Sequence, residues 1–208
     1  VDLVSRRLPK SYGYDPLRDI QVITPAKQGP LGTRELNRLL QGKLNPPERG
    51  KGEATLMGRT LREGDKVMQI RNNYDIIWQQ PDGTAGTGIF NGDMGIIEML
   101  DPGSKTIQVR FEEKLATYSF ENQDQLEHAY AVTVHKSQGS EFEAVVMPLE
   151  RRHPKLHYRN LLYTAVTRAR KLLIMTGQKE TVYAMVQNNR RTLRYTNQKE
   201  MLQEMCDE

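Results

Sequence analysis

With 208 residues the chain can form one large domain or two modest ones around a proper core, and 37% hydrophobic with 27% charged residues is the composition of a globular protein. No apolar run approaches the roughly 20 residues that cross a bilayer, and the opening VDLVSRRLPK lacks the charged-then-apolar order of a secretory signal, so no membrane partner and a cytoplasmic location are expected. The single cysteine, Cys206, excludes a disulfide framework and a Cys-based metal site, while 30 Lys and Arg against 26 acidic residues, a net +4, weakly favours a polyanionic partner.

In chain order, the residues to about Asp19 form an irregular lead-in with the turn signal YGYDP. Asp19 to Thr24 alternates and stops at Pro25, as a short strand does. After a loop with Gly29, Pro30 and Gly32, Thr33 is expected to cap a helix that turns Leu36, Leu39 and Leu40 inward and ends before Asn45-Pro46-Pro47. The stretch from Arg49 to Thr60 is polar and without periodicity. Beyond the turn Glu63-Gly64-Asp65 and the strand Lys66 to Ile70, turn signals recur at Asn72-Asn73, Pro81-Asp82-Gly83, Asn91-Gly92-Asp93 and Asp101-Pro102-Gly103. They separate short β-type runs, the rhythm of a small antiparallel barrel.

After Glu127 the α/β pattern returns. Residues 129–134 and Ala144 to Leu149 are near-continuous apolar runs, as in a parallel sheet covered on both faces. Leu156 to Arg168 is expected as a helix, Leu172 to Met175 as a strand, Glu180 to Gln187 as a helix, and the remainder as a polar tail. The fold class is therefore an α/β parallel-sheet lobe, 1–70 with 121–190, interrupted by a β-barrel insertion at 71–120 and followed by a tail at 191–208.

Two polar clusters carry the chemistry. In AYAVTVHKSQG a buried strand ends in His135, Lys136, Ser137, Gln138 and Gly139, whose donors and flexible backbone suit phosphate oxygens. Taken alone His135 is as well explained by packing, and Glu141 is either an acceptor for a sugar hydroxyl or an exposed helix-start residue. In YTAVTRAR, Arg168 ends a helix just before a buried strand, where a guanidinium fork suits a phosphoryl group supplied from across a cleft; an ordinary surface arginine is the plain alternative. There is no GxxxxGK[ST] loop, since Gly103-Ser104-Lys105-Thr106 has the residue types without the spacing. No paired acidic box, metal-ligand set or G-x-S-x-G elbow occurs either, so metal ligands are assigned to none of these residues and the chain reads as half of a nucleotide site.

The segment AVTVHKSQGSEFEAVV resembles motif V, and LLYTAVTRARKLLIMTG resembles motif VI, of superfamily 1 helicases. DIQVITPAKQGPLGTRELNRLLQGKLNPP, GDKVMQIRNNYD and NGDMGIIE resemble the RecD-like and TraA-like branch, so the resemblance runs from about Tyr12 to Gly177. It implies the second RecA-like lobe, of P-loop-NTPase type but without its own P-loop, carrying an SH3-like β-barrel insertion.

By that resemblance Arg168 is the arginine finger toward the γ-phosphate of ATP. Gly139 and Glu141 lie at the nucleotide's phosphate and ribose edge, and Gln138 links the nucleotide side to the DNA side. Thr133, His135, Lys136 and Ser137, with Thr24 and Pro25 on the neighbouring loop, lie along the backbone of single-stranded DNA. ATP and Mg2+ are then held mainly by an N-terminal RecA-like lobe of the same parent chain, and the stretch alone is expected to lack ATPase activity. Translocation from 5′ to 3′ and recombination or conjugation proteins as partners follow from the same resemblance. A different reading keeps only a non-catalytic DNA- or protein-binding module built on the insertion.

Overall fold

The computed structural model describes residues 1–150 and 156–189. A π-helical turn at Leu3–Arg7 runs into α1 (Leu8–Tyr12), which ends at Gly13 in the left-handed conformation. Next come β1 (Ile20–Thr24), α2 (Thr33–Leu44), the hairpin β2 (Glu53–Leu56) and β3 (Arg59–Arg62), and β4 (Lys66–Gln69). The chain continues through β5 (Asn73–Gln79), β6 (Ala85–Ile89), β7 (Met94–Asp101), β8 (Thr106–Phe111) and β9 (Lys114–Ser119). A 3-10 turn leads to β10 (Leu126–His128), β11 (Ala131–Thr133), β12 (Phe142–Pro148), α3 (Arg159–Val166), β13 (Ala169–Thr176) and α4 (Lys179–Gln187). Among the described residues no helix is long and apolar enough to cross a membrane.

The strands at the two ends of the chain make a four-stranded parallel sheet in the order β11-β1-β12-β13. β1, β11 and β12 are buried almost throughout because both faces are covered, whereas the edge strand β13 is only half-buried. Ile20, Val22, Ala144 and Val146 point toward Val4, Leu8, Leu36 and Leu40 of the N-terminal helices and α2. Ile23, Val132, Val145 and Met147 point toward Leu161, Leu162 and Ala165 of α3 and Met185 of α4. Successive residues therefore serve opposite faces, as the pleat of a strand requires.

The expected helix at 33–44 is present, with two differences. Gly32, in extended conformation, stands at the N-cap position and Thr33 is the first helical residue, its N–H donating to the Ala26 carbonyl at 3.1 Å. Leu39 is 38% exposed, because Leu36 and Leu40, one turn apart, already fill the buried stripe. The polar stretch before Leu61 is the β2–β3 ribbon, most of whose side chains meet solvent, so no apolar alternation marks it. β13 starts three residues earlier than the apolar run, at Ala169, which pairs with Phe142. The expected tail at 191–208 lies outside the described residues.

β4 to β10 form one seven-stranded antiparallel sheet, order β10-β4-β7-β8-β9-β5-β6, wrapped on its own core of Val67, Ile97, Ile107, Val109, Phe111, Tyr118 and Leu126. The flanking strands β4 and β10 pair with each other, Met68 opposite Glu127, so this sheet begins and ends at one place. Gly86 on β6 is there for space: a Cβ would stand 2.4 Å from the Trp78 ring across the ribbon.

Asp65, immediately before β4, ties the two sheets together. Its fully buried carboxylate accepts from Asn45 Nδ2 at 2.6 Å, Tyr130 Oη at 2.8 Å, Gln41 Nε2 at 2.7 Å and the Arg62 N–H at 2.9 Å, and it meets His128 Nε2 at 3.1 Å. Burial alone would raise its pKa. The His128 hydrogen bond and charge, with Asn45 and Arg62, outweigh that and hold it below the usual carboxylate value. Tyr130 is pushed well above the ordinary tyrosine range by burial and by the Asp65 charge.

Next to it Lys66 is buried across the seam, its Nζ donating to Gln21 Oε1 of β1 at 2.9 Å. Burial pulls the ammonium down to about 8, against the pull of Asp15 and Asp19.

A candidate nucleotide and nucleic-acid interface

The loop from β11 to β12 crosses from one edge of the parallel sheet to the other, and short local bonds shape it. The Val134 N–H donates to the Thr24 carbonyl of β1 at 3.1 Å, locking this loop to the one after β1. Ser137 is fully buried, its N–H donating to the Thr133 carbonyl at 3.1 Å and its hydroxyl to the Val134 carbonyl at 2.8 Å. Thr133 Oγ1 accepts the Lys136 N–H at 3.3 Å. Thr24 Oγ1, likewise buried, donates to the Leu31 carbonyl at 2.6 Å, beside half-buried Pro25. Thr24 and Ser137 thus donate their hydroxyls within the loops, and Thr133 Oγ1 accepts there.

His135, Gln138 and Gly139 are exposed, and Gly139 has φ +86 with open space around its Cα. Lys136, half-buried, reaches out of the lobe and donates from Nζ to Asn91 Oδ1 of the β6–β7 turn at 3.0 Å. The far end of the loop meets the end of α3. Arg168 Nη1 donates to the Ser140 carbonyl at 3.1 Å, Nε to the Thr164 carbonyl at 3.1 Å, and Nη2 to Thr167 Oγ1 at 3.1 Å. A guanidinium carries five N–H donors, so Arg168 is held in place with donors unspent.

Charge separates Arg168 from its neighbours. Glu141 accepts from Arg170 Nε at 3.0 Å, and Lys171 Nζ meets Glu143 at 2.7 Å. Among the described residues Arg168 faces no carboxylate. A rigid cation with free donors and no internal counter-charge fits a terminal phosphate presented from outside the lobe. Among the described residues no group of three or more His, Cys, Asp and Glu is placed to hold a metal ion.

The eight-residue loop 134–141 therefore carries His135 and Lys136 at the end tied to β1, near Thr24, Pro25 and Thr133, and Gln138, Gly139 and Glu141 toward the end where Ser140 meets Arg168. Ser140, Arg170 and Asn91 were not legible as members of this arrangement. Ser140 acts through its carbonyl, which leaves no residue-type signature, Arg170 had only its place in a basic cluster, and Asn91 lies in a turn distant in sequence.

Residues 128–176 match the family described as the UvrD-like helicase C-terminal domain, and residues 36–111 match the SH3 domain of ATP-dependent RecD-like DNA helicases. Over its whole length the fold is similar to 49% of a Pif1 helicase from Bacteroides, solved with ADP-AlF3 and ssDNA (TM-score 0.53, 16% identity). A Pif1 helicase from Candida albicans matches 98% of the chain (TM-score 0.50, 15% identity). The parallel sheet is thus a RecA-like lobe with an SH3-like insertion, the build of a superfamily 1 helicase.

The chain is 35% identical over 158 residues to the ATP-dependent RecD2 DNA helicase of Deinococcus radiodurans, a match covering 76% of this chain and 20% of that protein. It is 26% identical over 172 residues to the RecBCD enzyme subunit RecD of Buchnera aphidicola, covering 81% and 26%. It belongs to the RecD-like helicases and spans about a fifth to a quarter of the length of these two relatives.

Proposed function

We propose that this chain is the second motor lobe of an ATP-dependent DNA helicase, gripping single-stranded DNA at one end of the β11–β12 loop and supplying Arg168 to an ATP site at the other. The observation that carries this reading is the bond from Arg168 to the Ser140 carbonyl, which ties the end of α3 to the loop whose earlier residues are His135 and Lys136. ATP with Mg2+, held mainly by a first RecA-like lobe, supplies the phosphoanhydride bond whose hydrolysis drives movement. This lobe's residues position and couple. Arg168 offers its unspent N–H groups to the charge that develops on the γ-phosphoryl oxygens. Gly139 leaves the backbone open to close approach, and Glu141 and Gln138 flank it toward the ribose.

On the DNA side, His135 and Lys136 contact the backbone without regard to sequence, as a translocating motor needs. Thr24, Pro25, Thr133 and Ser137 hold the two loops that present them. Closure of the first lobe on Arg168 would pull Ser140 and so shift Lys136 along the strand, a hinge-type coupling. The direction, 5′ to 3′, is proposed from the RecD-like resemblance. We take the motor lobe as 1–70 with 121–190 and the insertion as 71–120, β4 and β10 being the seam between them.

The test is to assay the 208-residue chain alone and again joined to a first RecA-like lobe. The chain alone should show no Mg2+-dependent ATPase; joined, it should hydrolyse ATP when DNA is present, and Arg168→Ala should abolish turnover while leaving nucleotide binding nearly intact. ATPase activity from the chain alone, or full turnover by the variant, would overturn the assignment.

A further inference from the structure

A large cavity lies away from the β11–β12 loop, between α2 and the β2–β3 hairpin, with a volume of about 850 Å3. Its walls carry Lys27, Arg34, Arg38, Arg59 and Arg62, against Glu127. Some of these cations are already engaged. Arg38 pairs with Glu35 one turn back, and Arg62 pairs with Glu53 across the hairpin and donates to the Asn45 carbonyl. Arg59 gives one donor to the Leu126 carbonyl at 2.8 Å, which holds the side chain in place and leaves the rest of its fork available. Lys27 and Arg34 are exposed and have no ion pair or side-chain hydrogen bond among the described residues, although the Arg34 N–H to the Lys27 carbonyl bond, 3.2 Å, keeps them side by side. The wall thus has an excess of positive charge that the fold does not pair, with Arg59 held in place and Lys27 and Arg34 open to solvent.

Two further features point to the occupant. Lys27 lies on the loop that follows Thr24, whose carbonyl accepts from Val134, so one wall of the cleft is tied to the loop that carries His135 and Lys136. At the hairpin tip, Met57 is 77% exposed with φ +48, an apolar, polarizable side chain set among the cations at the cleft's rim. Cations along a groove with an apolar surface beside them match an unpaired strand, which offers a phosphate backbone and bare base faces together.

We propose that this cleft binds single-stranded nucleic acid as a second contact track, with Lys27, Arg34 and Arg59 on the phosphates and Met57 against a base. It rests on the reading of the chain as a DNA motor lobe and lengthens the footprint that lobe makes on its strand. The track extends the His135–Lys136 grip along α2 rather than replacing it.

The test is the binding of the full chain to fluorescent oligo(dT) of short and long length across a salt series. Each phosphate of a single strand that the protein no longer neutralises lowers the slope of log K against log salt by about 0.7. Arg34→Ala with Lys27→Ala should lower affinity for the long oligonucleotide at least several-fold and flatten its slope by about 1.4, with little change for a short one that the Lys136 edge can satisfy. Met57→Ala should weaken binding without changing the slope. Lys10→Ala, on α1 and outside the cleft, removes one charge as a control and should change neither; melting curves for each variant confirm folding. Long-oligonucleotide binding that the cleft variants leave untouched but Lys136→Ala weakens would overturn the track and keep the motor-lobe reading. Binding weakened by neither set, no binding at all, or a cleft that takes an acidic peptide in place of oligo(dT) would overturn the track, and the first two would remove the motor-lobe reading with it.

Discussion

The Arg168 guanidinium and the Ser140 carbonyl stand 3.1 Å apart, a bond that joins the end of α3 to the loop leaving β11. Because Ser140 contributes its backbone, Ser140→Ala should retain near-normal ATPase in the assembled helicase. Arg168→Lys keeps the charge but loses the fork that reaches Ser140, Thr164 and Thr167 at once, and should lower turnover at least about 100-fold. Steady-state ATPase with saturating single-stranded DNA measures both, and equal losses in the two variants would remove the role given to the fork.

Gly139 permits a left-handed backbone in open space, so the cost of a side chain there is conformational rather than steric. Gly139→Ala should destabilise the chain by about 1 kcal/mol, seen as a small fall in the denaturation midpoint. A larger loss of ATPase than of stability would show that backbone approach at this point matters beyond folding.

Asp65 gathers donors from α2, from the turn before β4 and from β10 and its flank. Asp65→Ala leaves Gln41 and Asn45 with their bonds to the Thr60 and Glu63 carbonyls but takes the carboxylate from the Tyr130 hydroxyl and the Arg62 N–H, and should cost about 3 kcal/mol in urea unfolding. Since its folded pKa is depressed, Asp65 stabilises the fold above its unfolded value near 4 and loses that contribution as pH falls through the folded value. The gap between wild type and Asp65→Ala should therefore narrow only in strong acid.

Lys66 gives the opposite kind of dependence. Its folded pKa of about 8 lies below the ordinary 10.5, so above about pH 8 the unfolded chain holds more protons than the folded one. Stability from this group rises as pH increases from about 8 to 10.5, and below that window the buried charge is a cost. Lys66→Met lacks the titration, so wild type should gain on it across that interval in paired denaturation curves, and parallel curves would contradict a buried charged lysine.

The one tryptophan of the chain, Trp78, covers Gly86. Gly86→Ala drives a methyl into the indole and should cost about 1–3 kcal/mol, with a shift in tryptophan emission that reports the insertion apart from the parallel sheet. An unchanged spectrum and midpoint would mean the ring moves aside freely.

The parallel strands were readable from their apolar runs because burial on both faces leaves little room for polar residues, and the two motif segments were readable because their residue types recur in a fixed order. The β2–β3 ribbon was not, since solvent on most of its side chains removes the alternation that marks a strand. Leu39 looked inward by spacing, yet Leu36 and Leu40 had already filled the stripe. The Ser137 hydroxyl read as one more outward donor, whereas it turns inward and donates to the Val134 carbonyl. Spacing along the chain also gave no hint that Lys136 would meet Asn91, a pairing made by tertiary packing alone.

β4 and β10 lie side by side, so the chain departs for the insertion and comes back through a gap no wider than one antiparallel pair. With its ends already joined, the length of what lies between them bears only logarithmically on closure entropy. The insertion is in this sense an interchangeable cartridge: a barrel of another length that still covers Val67 and Leu126 would meet the same socket without the parallel sheet having to change.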